Sequence, residues 1–166
     1  MNEKKWYALY TRARSEKKVL LELNYAGIDA YLPLITHVRQ WSDRKKKVEE
    51  PLFRCYIFVH IQEDEFYKTL NLPGAIRFIS FENKAVAIPE KQIEAIRYFV
   101  NDPEGLSENN QLLSEGQLVK VKSGPMEGLI GRLIRYKNKF RLLVLIEAIG
   151  QTITLNIPRS RVDVVK

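Results

Sequence analysis

Hydrophobic and polar positions along the chain fall into short blocks with two different periods. Trp6 to Tyr10 is an aromatic and aliphatic run that predicts an opening strand. Ser15 stands where it can cap a following helix, in which Val19, Leu20, Leu23 and Ala26 recur at helical spacing and which Gly27 ends. Ile28 to Trp41 reads as extended, with Pro33 marking an edge strand or a bulge. After the charged stretch Ser42 to Glu50, Leu52 to Ile61 predicts one strongly apolar strand. Glu63 to Leu72 predicts a short helix stopped by Pro73-Gly74. Ile76 to Ser80 and Ala85 to Ile88 predict a strand pair around Glu82-Asn83-Lys84. Pro89 suits the first turn of a helix whose apolar stripe is Ile93, Ile96 and Val100. Strands interleaved with a few helices on a mostly antiparallel sheet give an α+β domain over residues 1–101.

The pattern then breaks. From Asp102 to Gly116 no hydrophobic period survives, and Pro, Gly, Ser, Asn and acidic residues dominate, as in a solvated, flexible linker. Regular alternation resumes at Leu118-Val119-Lys120-Val121-Lys122, followed by the turn-rich Ser123-Gly124-Pro125-Met126-Glu127-Gly128. Leu129 to Tyr136 and Phe140 to Ile146 predict core strands joined by a turn at Lys137-Asn138-Lys139. Ile153, Leu155 and Ile157 alternate before Pro158, and Val162 to Val165 closes the chain. Short, closely spaced strands over residues 117–166 predict a small SH3-like β-barrel. The expected fold is α+β followed by all-β.

Charge sharpens this division. Of the net +7, residues 1–101 carry +4, from 17 Lys and Arg against 13 Asp and Glu. Residues 102–116 carry −4, with four acids and no base, and residues 117–166 carry +7, with ten bases against three acids. Two basic blocks flank an acidic connector, which points to acidic partners. No apolar run approaches the roughly 18 residues of a membrane span, and the start has no signal-peptide core, so a cytoplasmic protein with no membrane partner is expected. The single cysteine, Cys55, cannot form an intramolecular disulfide and reads as a small packed residue in its strand.

No catalytic constellation emerges. His37 and His60 have no Cys or His at ligand spacing, and no phosphate loop, dinucleotide fingerprint or nucleophile elbow is present. Glu49-Glu50 and Glu63-Asp64-Glu65 read as solvated loop ends rather than cation ligands. The expectation is therefore a non-enzyme with no metal and no cofactor. Basic clusters are the better candidates for binding. Arg12, Arg14, Lys17 and Lys18 surround the first strand-to-helix turn, and Arg44-Lys45-Lys46-Lys47 read as a hairpin tip after Trp41-Ser42-Asp43. Cations at an exposed tip attract phosphates and release counterions, and Trp41 offers a plane to an unpaired base. An inward-packed Trp41 on a merely solvated hairpin is the alternative. In the aromatic set Trp6, Tyr7, Tyr10, Phe53, Tyr56 and Phe58, strand alternation puts Tyr56 and Phe58 on one face and Ile57 and Val59 on the other. A sheet apolar on both faces is either covered twice or carries a binding patch.

The order of these features resembles the NusG/RfaH family. Trp6-Tyr7-Ala8-Leu9-Tyr10-Thr11, Ala26-Gly27-Ile28 and Tyr31-Leu32-Pro33 look like the start of its N-terminal (NGN) domain. Pro51 to Val59 resembles that domain's signature strand, and Pro73-Gly74 before Ile76-Arg77-Phe78-Ile79 fits its next element. Gly116 to Val121 and Gly124 to Gly131 resemble a KOW motif, placing Lys120, Lys122, Gly124, Met126, Gly128 and Gly131 in it. The brevity and the Trp-Ser-Asp-Arg-Lys-Lys-Lys hairpin look like the specialised paralogues, including UpxY-like antiterminators of polysaccharide operons.

The resemblance implies a monomeric transcription elongation and antitermination factor. Its NGN domain would dock on the clamp helices of the largest RNA polymerase subunit, suppress pausing and promote terminator read-through. Tyr10, Tyr56 and Phe58, with Phe53, fall on the polymerase-binding patch, and Arg12 falls where a basic residue meets non-template DNA. Nascent RNA is the other nucleic-acid partner. Where RfaH-like proteins carry a His-Thr-Thr-Thr run for the gate loop of the second large subunit, this chain has Glu65-Phe66-Tyr67-Lys68. Met126 aligns with a KOW-loop residue that touches a small-subunit ribosomal protein or Rho. The rival readings are a ribosome-associated or general RNA-binding KOW protein, and a Mg²⁺-dependent nuclease using the acidic pairs.

Overall fold

Strand β1 (Lys5–Thr11) is the centre of the first sheet, because three other strands pair with it. In this computed structural model, which describes residues 3–101, 116–136, 139–157 and 159–165, β1 runs antiparallel to β5 (Tyr56–Ile61). It also pairs with β6 (Ala75–Phe78) and with β9 (Ala87–Ile88), while β2 (Asp29–Tyr31) extends the sheet beyond β5. Most of the stretch expected as a linker, 102–115, and the turn at Lys137-Asn138 lie outside the described residues.

Alternation along β1 and β5 sorts their side chains between two faces. Tyr7, Leu9, Ile57, Val59 and Ile61 point to one side and meet Val19 and Leu23 of helix α1 (Glu16–Tyr25), with Ile28, Leu32 and Phe78 completing a buried cluster. Each large apolar side chain removed from water here contributes about 1.5–3 kcal/mol. The opposite face carries Trp6, Ala8 and Tyr10 against His60, Phe58 and Tyr56. The helix ends as its sequence predicts. Gly27 takes φ +73, and the Ile28 N–H returns to the Leu23 carbonyl at 2.9 Å, which turns the chain back toward the sheet. At the other end Ser15 occupies the cap position, but its hydroxyl makes no cap bond. Its backbone, at φ −107 and ψ 2, lies outside the extended conformation that aims a cap oxygen at the first N–H groups.

The single extended stretch expected over Ile28 to Trp41 is two strands, parted at Leu32-Pro33. The second, β3 (Leu34–Gln40), forms an isolated hairpin with β4 (Lys45–Pro51). Lys45, Lys46 and Lys47 therefore stand on a strand, and the tip proper is Trp41 to Arg44, closed by the Trp41 N–H to the Arg44 carbonyl at 2.7 Å. A second correction concerns Leu52 to Ile61. Leu52 to Cys55 is a loop and turn, and the strand starts only at Tyr56. A 3-10 turn (Glu63–Glu65) leads into α2 (Phe66–Leu70). The pair expected around Glu82-Asn83 shrinks to β7 (Ser80–Phe81) and β8 (Lys84–Ala85), with Glu82 and Asn83 both left-handed, and β9 pairs with β1 instead.

The chain divides into two compact units, Met1–Ile88 and Pro89–Lys166. In the second, α3 (Glu90–Asn101) buries Ile93, Ala95, Ile96 and Phe99, while Val100 is half-buried. It packs on β12 (Lys139–Ile146) and β13 (Gln151–Leu155), where the Gln92 amide donates to the Leu145 carbonyl at 3.4 Å. Those strands belong to a five-stranded antiparallel sheet with β10 (Gln117–Val121), β11 (Ile130–Tyr136) and β14 (Val162–Val164), in the order β13-β12-β11-β10-β14. Val119, Val121, Leu142, Val144, Ile146, Ile153 and Leu155 fill its inner face.

Candidate functional site

Three strands carry one aromatic and cationic row. Tyr10 on β1 lies directly opposite Tyr56 on β5 and Arg77 on β6. The two tyrosine rings meet edge to face at 5.6 Å, and the Arg77 guanidinium stands over the Tyr10 ring at 5.3 Å. Both tyrosines are half-buried, so each keeps part of its surface exposed. Phe53 and Phe58, expected in the same surface patch, are buried at 5% and 0% exposure and meet each other edge to face at 6.1 Å. Phe58 sits mid-strand opposite Ala8 with Phe53 against it, so neither ring presents a surface. The accessible part of the patch is Tyr10 and Tyr56.

The loops at this end of the sheet converge on the row. The Thr11 N–H donates to the Cys55 carbonyl at 2.8 Å, and the Arg12 N–H to the Gly74 carbonyl at 3.0 Å. Gly74 takes φ +88, and a Cβ there would lie 2.7 Å from the Val19 side chain, so only glycine lets the β6 lead-in pass this close to α1. Arg12, Arg14 and Arg54 are exposed around this corner. Arg14 and Cys55 are both left-handed, at φ 62 and 68, a conformation that costs a non-glycine residue about 1 kcal/mol or more. Cys55 is thus a half-buried turn residue rather than a packed strand residue. Its N–H donates to Glu16 Oε1 at 3.0 Å, and Glu16 is buried at the start of α1.

The hairpin forms the second candidate surface. Two of its acids, Glu49 and Glu50, are paired at the base. Lys17 reaches Glu49, 3.8 Å from the carboxylate and 3.1 Å from the backbone carbonyl, and Arg39 is ion-paired to Glu50. Lys17 therefore braces the hairpin instead of standing free with Lys18. Arg44, Lys45, Lys46 and Lys47 are exposed beyond these pairs. Trp41 is 50% exposed, with the Lys46 ammonium 5.9 Å from its ring centroid, so the inward-packed alternative does not hold. By strand alternation Trp41, Arg39 and Lys46 share one face, and Lys45 and Lys47 share the other.

Elsewhere the predicted residues are dispersed. His60 stacks on Trp6 at 4.8 Å with Nδ1 3.4 Å from Asp29, whereas His37 is exposed on β3. Glu65 closes a capping box by accepting the Gln62 N–H at 2.9 Å. In the second unit Lys120 and Lys122 are exposed on and just beyond β10, with Lys122 3.4 Å from Asp163. Gly124 and Gly128, both at positive φ, turn the loop, and Gly131 lies in β11. Met126 is buried at 8% exposure, which corrects the expectation of a partner-facing side chain there. Sequence reasoning missed Arg77, Arg54, Arg39 and Glu16. Only the cross-strand register and the turn geometry single them out.

The chain thus pairs an α+β unit, bearing an aromatic and arginine corner and a cationic hairpin, with a second unit of one helix, α3, on a five-stranded antiparallel sheet. The sequence model of the NusG family, described as transcription termination factor, matches residues 4–97, and the chain belongs to this family. Among curated relatives, the transcription termination/antitermination protein NusG of Rickettsia prowazekii is 24% identical, covering 93% of this chain and 88% of its own. The Staphylococcus epidermidis protein of the same name is 23% identical, covering 96% and 95%. A solved structure titled for domain interaction in Thermotoga maritima NusG superposes with a TM-score of 0.51 at 21% identity, over 98% of each chain, which is a likeness of fold.

Proposed function

We propose that this transcription termination/antitermination factor of the NusG family is a specialised, non-catalytic elongation factor. It docks on the clamp helices of the largest RNA polymerase subunit through Tyr10 and Tyr56. The observation that carries this reading is the half-buried Tyr10–Tyr56 pair with Arg77 above it, an aromatic surface rimmed by cations that suits an amphipathic, acidic helix pair. Arg12, Arg14 and Lys18, with the hairpin cations and Trp41, then hold non-template DNA or nascent RNA by phosphate contact and stacking. Residues 1–101 act as the polymerase-binding domain, a span the family match over residues 4–97 supports, while α3 at its end packs with the second compact unit. The acidic stretch 102–116 tethers a KOW domain over 117–166, which takes a second partner, a small ribosomal subunit protein or Rho, at raised effective concentration. The work is done on polysaccharide-type operons, a specialisation supported by the chain's Trp-Ser-Asp-Arg-Lys-Lys-Lys hairpin.

Co-purification of the full chain with core RNA polymerase, followed by transcription through a terminator, tests the reading. Binding with raised read-through is expected, and Tyr10→Ala with Tyr56→Ala should abolish both in a folded protein. A folded double variant that still binds and still raises read-through would remove these tyrosines from the interface.

A further inference from the structure

The turn that launches β5 is built on the wrong residue for its shape. Phe53 to Tyr56 close through the Tyr56 N–H to the Phe53 carbonyl at 3.4 Å. Cys55, the third residue, has φ 68, while Arg54 is not left-handed. A left-handed third residue is the signature of the turn whose central peptide is flipped, and glycine or asparagine is usual there. The flip turns the Cys55 N–H outward, where it meets the Glu16 carboxylate at 3.0 Å. Glu16 is 6% exposed, so this bond is sheltered from water. On its other side the Cys55 carbonyl accepts the Thr11 N–H at 2.8 Å, one residue from Tyr10.

We infer that Glu16 is a positioning residue for the tyrosine corner: its carboxylate holds the Arg54–Cys55 peptide in the flipped orientation, and so sets where Arg54 and Tyr56 point. Cysteine by itself favours negative φ, which would rotate this peptide back and swing Arg54 and Tyr56 out of register with Tyr10 and Arg77. Glu16 supplies what glycine at position 55 would have supplied through its backbone alone. This inference rests on the proposed polymerase contact.

The test is the affinity of the full chain for core RNA polymerase, with thermal melting measured alongside. Glu16→Ala is expected to weaken binding roughly ten-fold, the scale of one hydrogen bond to a charged acceptor. Glu16→Gln should retain binding, because its amide oxygen can accept the same N–H. The decisive variant is Glu16→Ala combined with Cys55→Gly. Glycine takes the left-handed conformation unaided, so affinity should return to within about two-fold of the parent. Loss of helix or core stability alone would not be rescued by a change in the turn. Should Glu16→Ala not fold, Cys55→Val strains the same peptide from the other side and should weaken binding with Glu16 intact. Full affinity in Glu16→Ala, no rescue by Cys55→Gly, or full affinity in Cys55→Val each overturns the inference. Tyr10→Ala with Tyr56→Ala separates the levels. If that variant binds normally, the polymerase reading itself fails. If it loses binding while Glu16→Ala does not, only the role of Glu16 fails.

Discussion

Neighbouring side chains of the same type have different tasks here, and burial decides which. Phe58 and Tyr56 lie two residues apart on one strand face, yet Phe58 is fully buried and Tyr56 is not. Truncating the buried ring leaves a cavity, so Phe58→Ala should lower stability by about 3–5 kcal/mol in chemical denaturation. Tyr56→Ala should lower it by about 1 kcal/mol while weakening polymerase binding. Equal stability losses for the two would contradict the division. Tyr7 adds a titration. Its pKa is raised above the ordinary value near 10 by burial and then by the negative charge of Glu63. A raised folded pKa means the native state holds the phenolic proton more tightly than the unfolded chain does. That contribution is complete below pH about 10 and is lost as pH climbs from there through the folded pKa. Tyr7→Phe should therefore lose less stability between pH 9 and 11 than the parent, by denaturant titration at both values. Identical losses would show that the Tyr7 hydroxyl plays no part. None of this was legible beforehand. Alternation told Tyr56 from Ile57, but separating Tyr56 from Phe58 required the register that sets Phe58 against Ala8 and Phe53.

At the scale of elements, periodicity served well wherever one face met one core. Helix α1 with its Gly27 stop, the two faces of β5 and the alternating strands of the second unit were all readable from spacing alone. It failed at several junctions, two of which show why. Leu52 to Cys55 is apolar enough to continue a strand, and with no glycine or asparagine at position 55 nothing marked the left-handed turn. The lysine run was placed at a tip because charge carries no period. In fact β4 holds it in register with β3, with Lys45 and Lys47 on one face and Lys46 beside Trp41 on the other. That arrangement makes a prediction about salt. If Arg44, Lys45, Lys46 and Lys47 each meet a phosphate of an unpaired strand, log affinity should fall against log salt with a slope of about −3 from these four alone. Replacing all four by Ser should remove that slope and weaken binding across sequences alike, whereas Trp41→Ala should weaken binding and leave the slope unchanged. Fluorescence titration with a labelled oligonucleotide at three salt concentrations distinguishes them, and an unchanged slope in the Ser variant would take the hairpin out of the nucleic-acid contact.

For the whole molecule, two surfaces of different chemistry on one unit constrain how the proposed elongation factor would act. Binding shifts a conformational equilibrium only as far as affinity differs between the two states. If the tyrosine corner and the hairpin together favour the active elongation complex over the paused one, the ratio of the two dissociation constants must equal the factor by which saturating protein shifts the pause equilibrium. A shift of about ten-fold needs only about 1.4 kcal/mol of differential binding, well within reach of one aromatic contact and a few phosphates. The contributions should also be separable. Tyr10→Ala with Tyr56→Ala should abolish binding to core polymerase and to both elongation complexes. The four-Ser hairpin variant should leave core polymerase affinity nearly intact and shrink the ratio between active and paused complexes, because only there does a displaced strand or transcript lie within reach. Dissociation constants for core, active and paused complexes, set beside pause lifetimes in the same buffer, test this directly. Equal affinity for active and paused complexes, together with a measured loss of pausing, would mean that the factor acts through something other than these two surfaces.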